Sequence, residues 1–190
     1  NGGRLEPRQW SMLIPACRHA KEVLLGANAP DNYTIVLSGA GSRLIGGALQ
    51  TELKREEVLQ LFLDGFLPET GLDERPQSRQ SGFQEFGLPY AADPAITKYL
   101  ATFLRTQQQI LGDDTNQDAK NLAARPDIVL FNGGFFASSI LRDRLIAAME
   151  HWFRPLDADW SPIVLRNDRL DLAVARGAAY FGMVRRGVGI

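Results

Sequence analysis

The stretch that decides the fold lies at residues 127–134, which read Asp-Ile-Val-Leu-Phe-Asn-Gly-Gly. Its first half is a short, continuous apolar run, which is typical of a strand covered on both faces in a parallel sheet. A second such run, Pro-Ile-Val-Leu, lies at residues 162–165, and the residues between the two runs have the apolar spacing of a helix. This order predicts an α/β fold whose two strands are parallel and joined by a right-handed crossover.

Helices are predicted on either side of these strands. The helix after the diglycine begins at Ser138 or Ser139, since serine suits an N-cap. A last helix over residues 172–184 is rich in alanine and glycine, small residues that let a helix lie close against a sheet. Upstream, residues 93–111 predict a helix with Asp93 as N-cap and proline at its first position. We expect a mixed sheet flanked by helices.

The first part of the chain has a different pattern. A helix is predicted from about residue 10 to residue 25, followed by a strand at residues 33–37 and a returning strand at residues 44–49. An amphipathic helix follows at residues 53–63, which makes a small α+β subdomain. The polar stretch after it lacks periodicity and predicts a loop. The predicted domains are therefore residues 1–63, an insertion or linker at 64–92, and residues 93–190.

Composition excludes several classes of function. The chain has 190 residues, of which 45% are hydrophobic and 23% charged, as in ordinary soluble domains. A net charge of −1 gives no field to hold nucleic acid or an anionic membrane, and no apolar run is long enough to span a bilayer. The single cysteine, Cys17, forms no internal disulfide, which favours a reducing compartment such as the cytoplasm. It lies on an apolar helical stripe, which predicts a buried, inert thiol.

Residues 132–134, Asn-Gly-Gly, are the first candidate site. Ligands of open α/β sheets bind at the carboxyl ends of strands, and glycine lets the backbone approach a base or a phosphate. A tight turn that needs a positive φ explains the same residues without a ligand. A second glycine-rich stretch at residues 39–43 lies between two predicted strands and indicates a hairpin turn. His19 and His151 have no metal-ligand spacing around them.

Three segments, in order, resemble the heat shock protein 70 (DnaK) family of the actin-like ATPase superfamily. Residues 16–24, Ala-Cys-Arg-His-Ala-Lys-Glu-Val-Leu, resemble its helix A-C-E-x-A-K-R-x-L. Residues 127–134 resemble its strand D-I-V-L-V-G-G, which precedes S-T-R. Residues 170–179, Leu-Asp-Leu-Ala-Val-Ala-Arg-Gly-Ala-Ala, resemble P-D-E-A-V-A-x-G-A-A. Residues 85–94 look like a divergent bacterial branch of that family.

The resemblance implies a place for each part. Residues 1–63 are expected to be most of the outer subdomain of lobe two of the nucleotide-binding domain, and residues 93–190 the later part of its inner subdomain, of ribonuclease H-like fold. The first lobe and the opening strands of the inner subdomain are expected to precede residue 1, in a longer parent. Because in-line phosphoryl transfer needs phosphates, metal and water positioned together, no ATP hydrolysis is expected from this chain alone. The intact parent is expected to be the ATPase.

The resemblance also implies site residues. Lys21 matches the family lysine near the ribose, Gly133 and Gly134 match the glycines under the nucleoside, and Asp171 matches the aspartate near the base. ATP or ADP is the cofactor that this implies for the parent, and no metal site is expected here.

Three departures from the family pattern weaken that expectation for this chain. The family glutamate at the adenine edge is Arg18, the arginine that stacks on one adenine face is Glu22, and the arginine of S-T-R is Ala137. A guanidinium over an aromatic ring contributes roughly 0.5–2 kcal/mol, so losing both predicts weak nucleoside contact at best.

The sequence is therefore compatible with two functions. The first is the nucleotide-responsive lobe of a DnaK-like chaperone. The second is a non-catalytic interaction scaffold that keeps the fold without nucleotide control. A sugar-kinase-like member of the superfamily fits the Ala-Val-Ala-x-Gly-Ala-Ala helix less well. The expected partners are the first lobe and upstream strands of the parent, and co-chaperones or exchange factors at the outer subdomain. An open sheet edge predicts self-association.

Overall fold

The computed structural model describes residues 5–38, 48–77, 93–110 and 125–188. They form a mixed α/β structure with small sheets, as the sequence predicts at this coarse level. The chain divides into two compact units, Asn1–Phe62 and Leu63–Ile190, and each is described by itself. Whether these units are the two predicted subdomains stays a prediction.

The first unit is built on one helix and one hairpin. Helix α1 (Pro7–Leu24) begins with a capping box in which Glu6 and Gln9 satisfy each other's backbone N–H groups. Strands β1 (Asn32–Leu37) and β2 (Leu49–Lys54) pair antiparallel, and helix α2 (Arg55–Phe66) begins directly after β2.

Burial between α1 and the hairpin holds this unit together. Ala20, Ile35 and Leu37 form its fully buried centre, and half-buried apolar residues of α1 and both strands surround it. The side chain of Arg55 donates to the carbonyl oxygen of Leu24, which ties the start of α2 to the end of α1. The apolar stripe of the predicted helix thus does face the hairpin, as Ala16 and Ala20 illustrate.

Two predictions for the first unit are wrong. The returning strand is Leu49–Lys54, so it continues beyond the predicted end at residue 49, and α2 starts at Arg55 and continues past Gly65. Residues 44–47 of the predicted strand lie outside the described residues. The sequence of Leu49–Lys54 is polar, and only the pairing with β1 makes it a strand, which is why periodicity did not show it. Cys17 is exposed rather than buried, because its position on α1 points away from the hairpin core. The glycine-rich stretch at residues 39–43 lies outside the described residues.

The second unit has the predicted order of helices and strands. It contains helix α3 (Ile96–Ile110), strand β3 (Ile128–Leu130), a short 3-10 helix (Gly134–Ala137) and helix α4 (Ser139–Phe153). Strand β4 (Ile163–Leu165) and helix α5 (Ala173–Arg185) complete it. Strands β3 and β4 are parallel and in register from Ile128 opposite Ile163 to Leu130 opposite Leu165, which confirms the predicted pairing.

Aromatic residues of α4 organise the core of this unit. Phe153 is completely buried and makes edge-to-face contacts with Trp152 and with Trp160, at ring-centroid distances of 6.5 and 5.1 Å. Ala101 and Leu104 of α3 pack into the same cluster. Burial of this apolar surface is the main stabilising term for the unit.

A buried carboxylate fixes the start of α3. Asp93 accepts hydrogen bonds of 2.9 Å from the backbone N–H groups of Gln77 and Ala95, and its oxygen lies 3.3 Å from the Lys98 ammonium. These bonds outweigh burial, which by itself raises the pKa, so that the pKa of the Asp93 carboxyl is lowered. The helix begins at Ile96, later than predicted, because Asp93 forms a turn with Ala95 in front of it.

One face of the two-stranded sheet is bare, which corrects the prediction of strands covered on both faces. Val129 packs against the aromatic core, whereas Ile128 and Leu130 on the other face are 55% and 52% exposed. Ile163 and Leu165, their partners in register, are 63% and 45% exposed. The faces of a parallel sheet are covered by the elements that pack on them, and none of the described elements covers these four side chains.

Helix α5 does not pack on the sheet, contrary to the prediction from its small residues. All of its residues after Ala173 are exposed, among them Val174 at 85% and Phe181 at 64%. A helix that is apolar on most sides is normally buried, so α5 presents a surface suited to contact with other protein. None of the described helices combines the length and hydropathy that crossing a bilayer requires.

Candidate functional site

The candidate site lies at the carboxyl ends of β3 and β4, where each strand runs into a turn. Gly133 follows β3 with φ 86° and ψ 154°, a region of backbone space that essentially only glycine occupies. Its N–H donates a 2.9 Å hydrogen bond to the carbonyl oxygen of Leu170. The diglycine turn therefore lies beside the residues that lead to Asp171, within one unit.

An asparagine pair locks the two strand ends together. The side-chain amide of Asn167 donates to the Asn132 side-chain oxygen at 2.7 Å and to the carbonyl oxygen of Phe131 at 3.4 Å. Its own oxygen accepts from the backbone N–H of Arg169 at 3.3 Å. These bonds satisfy the amide and hold the turn after β4 against the turn after β3.

A pocket of about 330 Å³ opens at these strand ends. This volume is at the lower end of the range of small-molecule sites, about 300–1,000 Å³. Its apolar and polar lining residues come from the ends of both strands, the turn after β4 and one arginine of α4. The lining residues are Phe131, Arg142, Val164, Leu165, Arg166, Asn167, Asp168 and Leu170.

Asp171 is already engaged by a neighbouring arginine. The Arg169 guanidinium donates to both Asp171 carboxylate oxygens, at 3.1 and 3.0 Å. This bidentate pair lowers the pKa of the Asp171 carboxyl and raises that of Arg169. Both side chains are exposed, so a ligand with its own cationic or donor group could exchange with Arg169 at little cost.

Gly133 and Gly134 differ in whether the structure requires a glycine at that position. An added Cβ meets nothing within 4 Å at either position, so neither glycine is required for space. Gly133 is required by its positive φ, which supports the turn interpretation at that position. Gly134 is exposed, begins the 3-10 helix and has no such constraint. At Gly134, unlike Gly133, the conformation of the turn does not explain why the residue is glycine.

The remaining predicted site residue, Lys21, lies in the first unit. It is half-buried on the last turns of α1, and its ammonium pairs with no side chain among the described residues. On the same helix, Arg18 and Glu22 form an ion pair with Nε and Oε1 3.2 Å apart. Convergence of Lys21 with the strand ends stays a prediction.

The two histidines and the metal-ligating side chains of the described residues form no group. His19 packs edge-to-face on Tyr33 at 5.9 Å, and His151 is exposed. Across residues 5–38, 48–77, 93–110 and 125–188, no three side chains of the metal-ligating types are grouped closely enough to hold an ion.

Sequence reasoning missed Arg142, Arg166 and the asparagine pair. Asn167-Asp168 directly after a strand is a turn signal, and a turn at the carboxyl end of a parallel strand could have indicated Arg166. Arg142 had no such signal. It reaches the pocket because the helix that carries it starts immediately after the diglycine turn and the 3-10 helix.

Comparison of the chain with protein-family models, with curated proteins and with solved structures gives no match. The geometry at the carboxyl ends of β3 and β4 is therefore the basis for the proposed function.

Proposed function

We propose that this chain is part of the second lobe of the ATPase domain of a cytoplasmic DnaK-type chaperone. One observation carries the proposal: the hydrogen bond from Gly133 to Leu170 brings the diglycine turn beside the segment of Asp171. In the heat shock protein 70 family, the matching segments border one nucleotide site. The order β3, α4, β4, α5 with parallel strands supports the inner subdomain of an actin-like ATPase lobe.

The ligand of the proposed site is ATP or ADP, bound fully only in the intact parent. Gly134 lies exposed at the strand ends, where a flat base could lie on its backbone. Asp171 is an exposed carboxylate that directly follows Leu170, the residue bonded to Gly133. Lys21 is the residue that the resemblance suggests for the ribose. The chain is proposed to respond to nucleotide without hydrolysing it, because hydrolysis needs the groups of the first lobe.

The bare apolar face supports the proposed partners. Parallel strands are almost always covered on both faces, and Ile128, Leu130, Ile163 and Leu165 are uncovered. The first lobe and upstream strands of the parent would complete this sheet. In their absence, we expect copies of the chain to associate through it. Exchange factors or co-chaperones are the partners proposed for the first unit.

A second candidate function is a non-catalytic interaction scaffold. Two observations favour it: Arg169 occupies the Asp171 carboxylate, and Arg18 and Glu22 neutralise each other on α1. The exposed apolar side chains of α5, such as Val174 and Phe181, would be its contact surface.

Calorimetric titration of the 190-residue chain with ADP separates these two functions. The nucleotide-responsive lobe predicts weak, saturable binding that is lost in Asp171→Ala and kept in Asp159→Ala, an exposed aspartate in the turn after α4. The scaffold predicts no saturable heat with either ADP or ATP. Binding that is equally strong in both variants would overturn the proposed site.

A further inference from the structure

The pocket at the strand ends carries uncompensated positive charge. Arg166 lines it, is exposed, and makes no ion pair or hydrogen bond with the described part of the chain. By contrast, the arginines that border the aromatic core and α4 are paired with carboxylates. These are Arg125 with Asp157, Arg144 with Glu69 and Arg154 with Glu150.

Arg142 is a second cation of the pocket, and its guanidinium is held in place. One of its terminal nitrogens, Nη1, donates to the carbonyl oxygens of Phe136 and Ala137, at 2.6 and 3.2 Å. Carbonyl oxygens orient the group but leave its charge intact. The other terminal nitrogen, Nη2, has no acceptor among the described residues. An oriented guanidinium with free donors matches a carboxylate or phosphate group well.

The other lining residues indicate which chemical groups the ligand has besides its anionic group. Among the lining residues that the structure describes, Asp168 is the one carboxylate, so the two arginines leave an excess of positive charge there. Phe131 and Val164, which follow the same face of the two strands, supply an apolar wall. An inorganic ion would fill the charge requirement and leave this wall in contact with water.

We propose that this pocket binds a compact organic anion, whose acidic group lies between Arg142 and Arg166 and whose flat or apolar body lies on Phe131 and Val164. The inference rests on the proposed function, since it names the chemical class of ligand at the same strand ends.

The test is a set of titrations of the full 190-residue chain, followed by calorimetry or by amide chemical shifts. The probes are adenosine 5′-monophosphate, adenosine, phenyl phosphate and inorganic phosphate. We expect phenyl phosphate and the nucleotide to bind, and inorganic phosphate to bind at least tenfold more weakly because it leaves the apolar wall uncovered. Arg166→Gln should weaken both organic anions about tenfold or more, since hydrogen bonds to charged groups contribute about 1.5–3 kcal/mol.

Arg186→Gln is the matched control, an exposed arginine at the end of α5 that does not line the pocket. It should leave every affinity unchanged. Binding of phenyl phosphate without any binding of adenosine would support the anion pocket and contradict the nucleotide function. Binding of adenosine alone, with an affinity that Arg166→Gln does not change, would support the nucleotide function and contradict the anion pocket. Binding of no organic anion, or equal loss in both arginine variants, would overturn the inference.

Discussion

The backbone N–H of Gly133 donates a hydrogen bond of 2.9 Å to the carbonyl oxygen of Leu170, across the carboxyl ends of two parallel strands. This bond, together with the Asn132–Asn167 pair, joins the two turns that form the candidate site. A ligand that contacts either turn would therefore act on a shared, hydrogen-bonded edge.

Replacing the two glycines separates the structural role from the binding role. Gly133→Ala forces an L-residue into a backbone region that is essentially reserved for glycine, and should lower the free energy of unfolding by about 1–3 kcal/mol. Gly134→Ala has open space and an ordinary φ, and should change it by less than about 0.5 kcal/mol. Urea unfolding measures both values.

The same Gly134→Ala variant should bind ADP more weakly, because a methyl group there keeps a flat base away from the backbone. Normal ADP affinity in a folded Gly134→Ala chain would show that no ligand approaches this turn closely.

Exchanging the charges of Arg18 and Glu22 should strengthen nucleotide binding. The double variant Arg18→Glu with Glu22→Arg keeps an ion pair across one turn of α1 and places a guanidinium where the resemblance expects one over the base. A guanidinium over a ring contributes about 0.5–2 kcal/mol, so the affinity for ADP should rise roughly 2- to 30-fold. Calorimetry measures this change.

Stability serves as the control for that exchange, since both side chains are largely exposed and the pair contributes little to folding. The double variant should unfold at the same urea concentration as the parent chain. A folded double variant with unchanged ADP affinity would argue against the residue roles that the resemblance implies for α1.

Truncating Phe153 should destabilise the second unit strongly. Phe153→Ala leaves a cavity between Trp152 and Trp160 and should cost about 3–5 kcal/mol of unfolding free energy. Tryptophan fluorescence during urea unfolding reports this core. Phe153→Leu should cost less, and Phe103→Ala, whose side chain is 59% exposed, should cost under about 1 kcal/mol. Equal losses in all three variants would contradict the assignment of this core.

Asp93 should make the second unit sensitive to acid. The folded-state pKa of its carboxyl lies below the ordinary value of 3.8, so its contribution is complete above that pH and is lost as the pH falls through the folded-state pKa. Asp93→Asn should lower stability at pH 7 by about 1–3 kcal/mol, and the difference from the parent chain should shrink below about pH 4.

Urea unfolding at a series of pH values checks this dependence, with Asp143→Asn on the exposed side of α4 as control. A difference between the Asp93 variant and the parent chain that stays constant down to pH 2 would count against the role of the charged carboxylate.

Periodicity was sufficient to predict most helices and the parallel strand pair. The apolar runs at Ile128–Leu130 and Ile163–Leu165 need no partner to be recognised as strands. Strand Leu49–Lys54 was missed because its residues are polar and its conformation depends on pairing with β1. Local patterns report local preferences, and this strand is a tertiary effect.

The candidate site was predictable only in part for a similar reason. Glycine and aspartate carry a sequence signal, which is why Gly133 and Asp171 could be named in advance. The exposure of α5 and of one face of the sheet follows from what is packed against them, and no pattern within a helix or strand records that. Arg142 depends on the direction in which α4 leaves the diglycine turn, which is likewise a tertiary property.

Amide chemical-shift mapping of the 190-residue chain during titration with ADP tests the central claim most directly. If nucleotide binds at the carboxyl ends of β3 and β4, the amide signals of Gly133, Gly134 and Asp171 should shift together along one saturable curve. Saturable shifts confined to residues far from these strand ends, or no shifts at all, would contradict the claim.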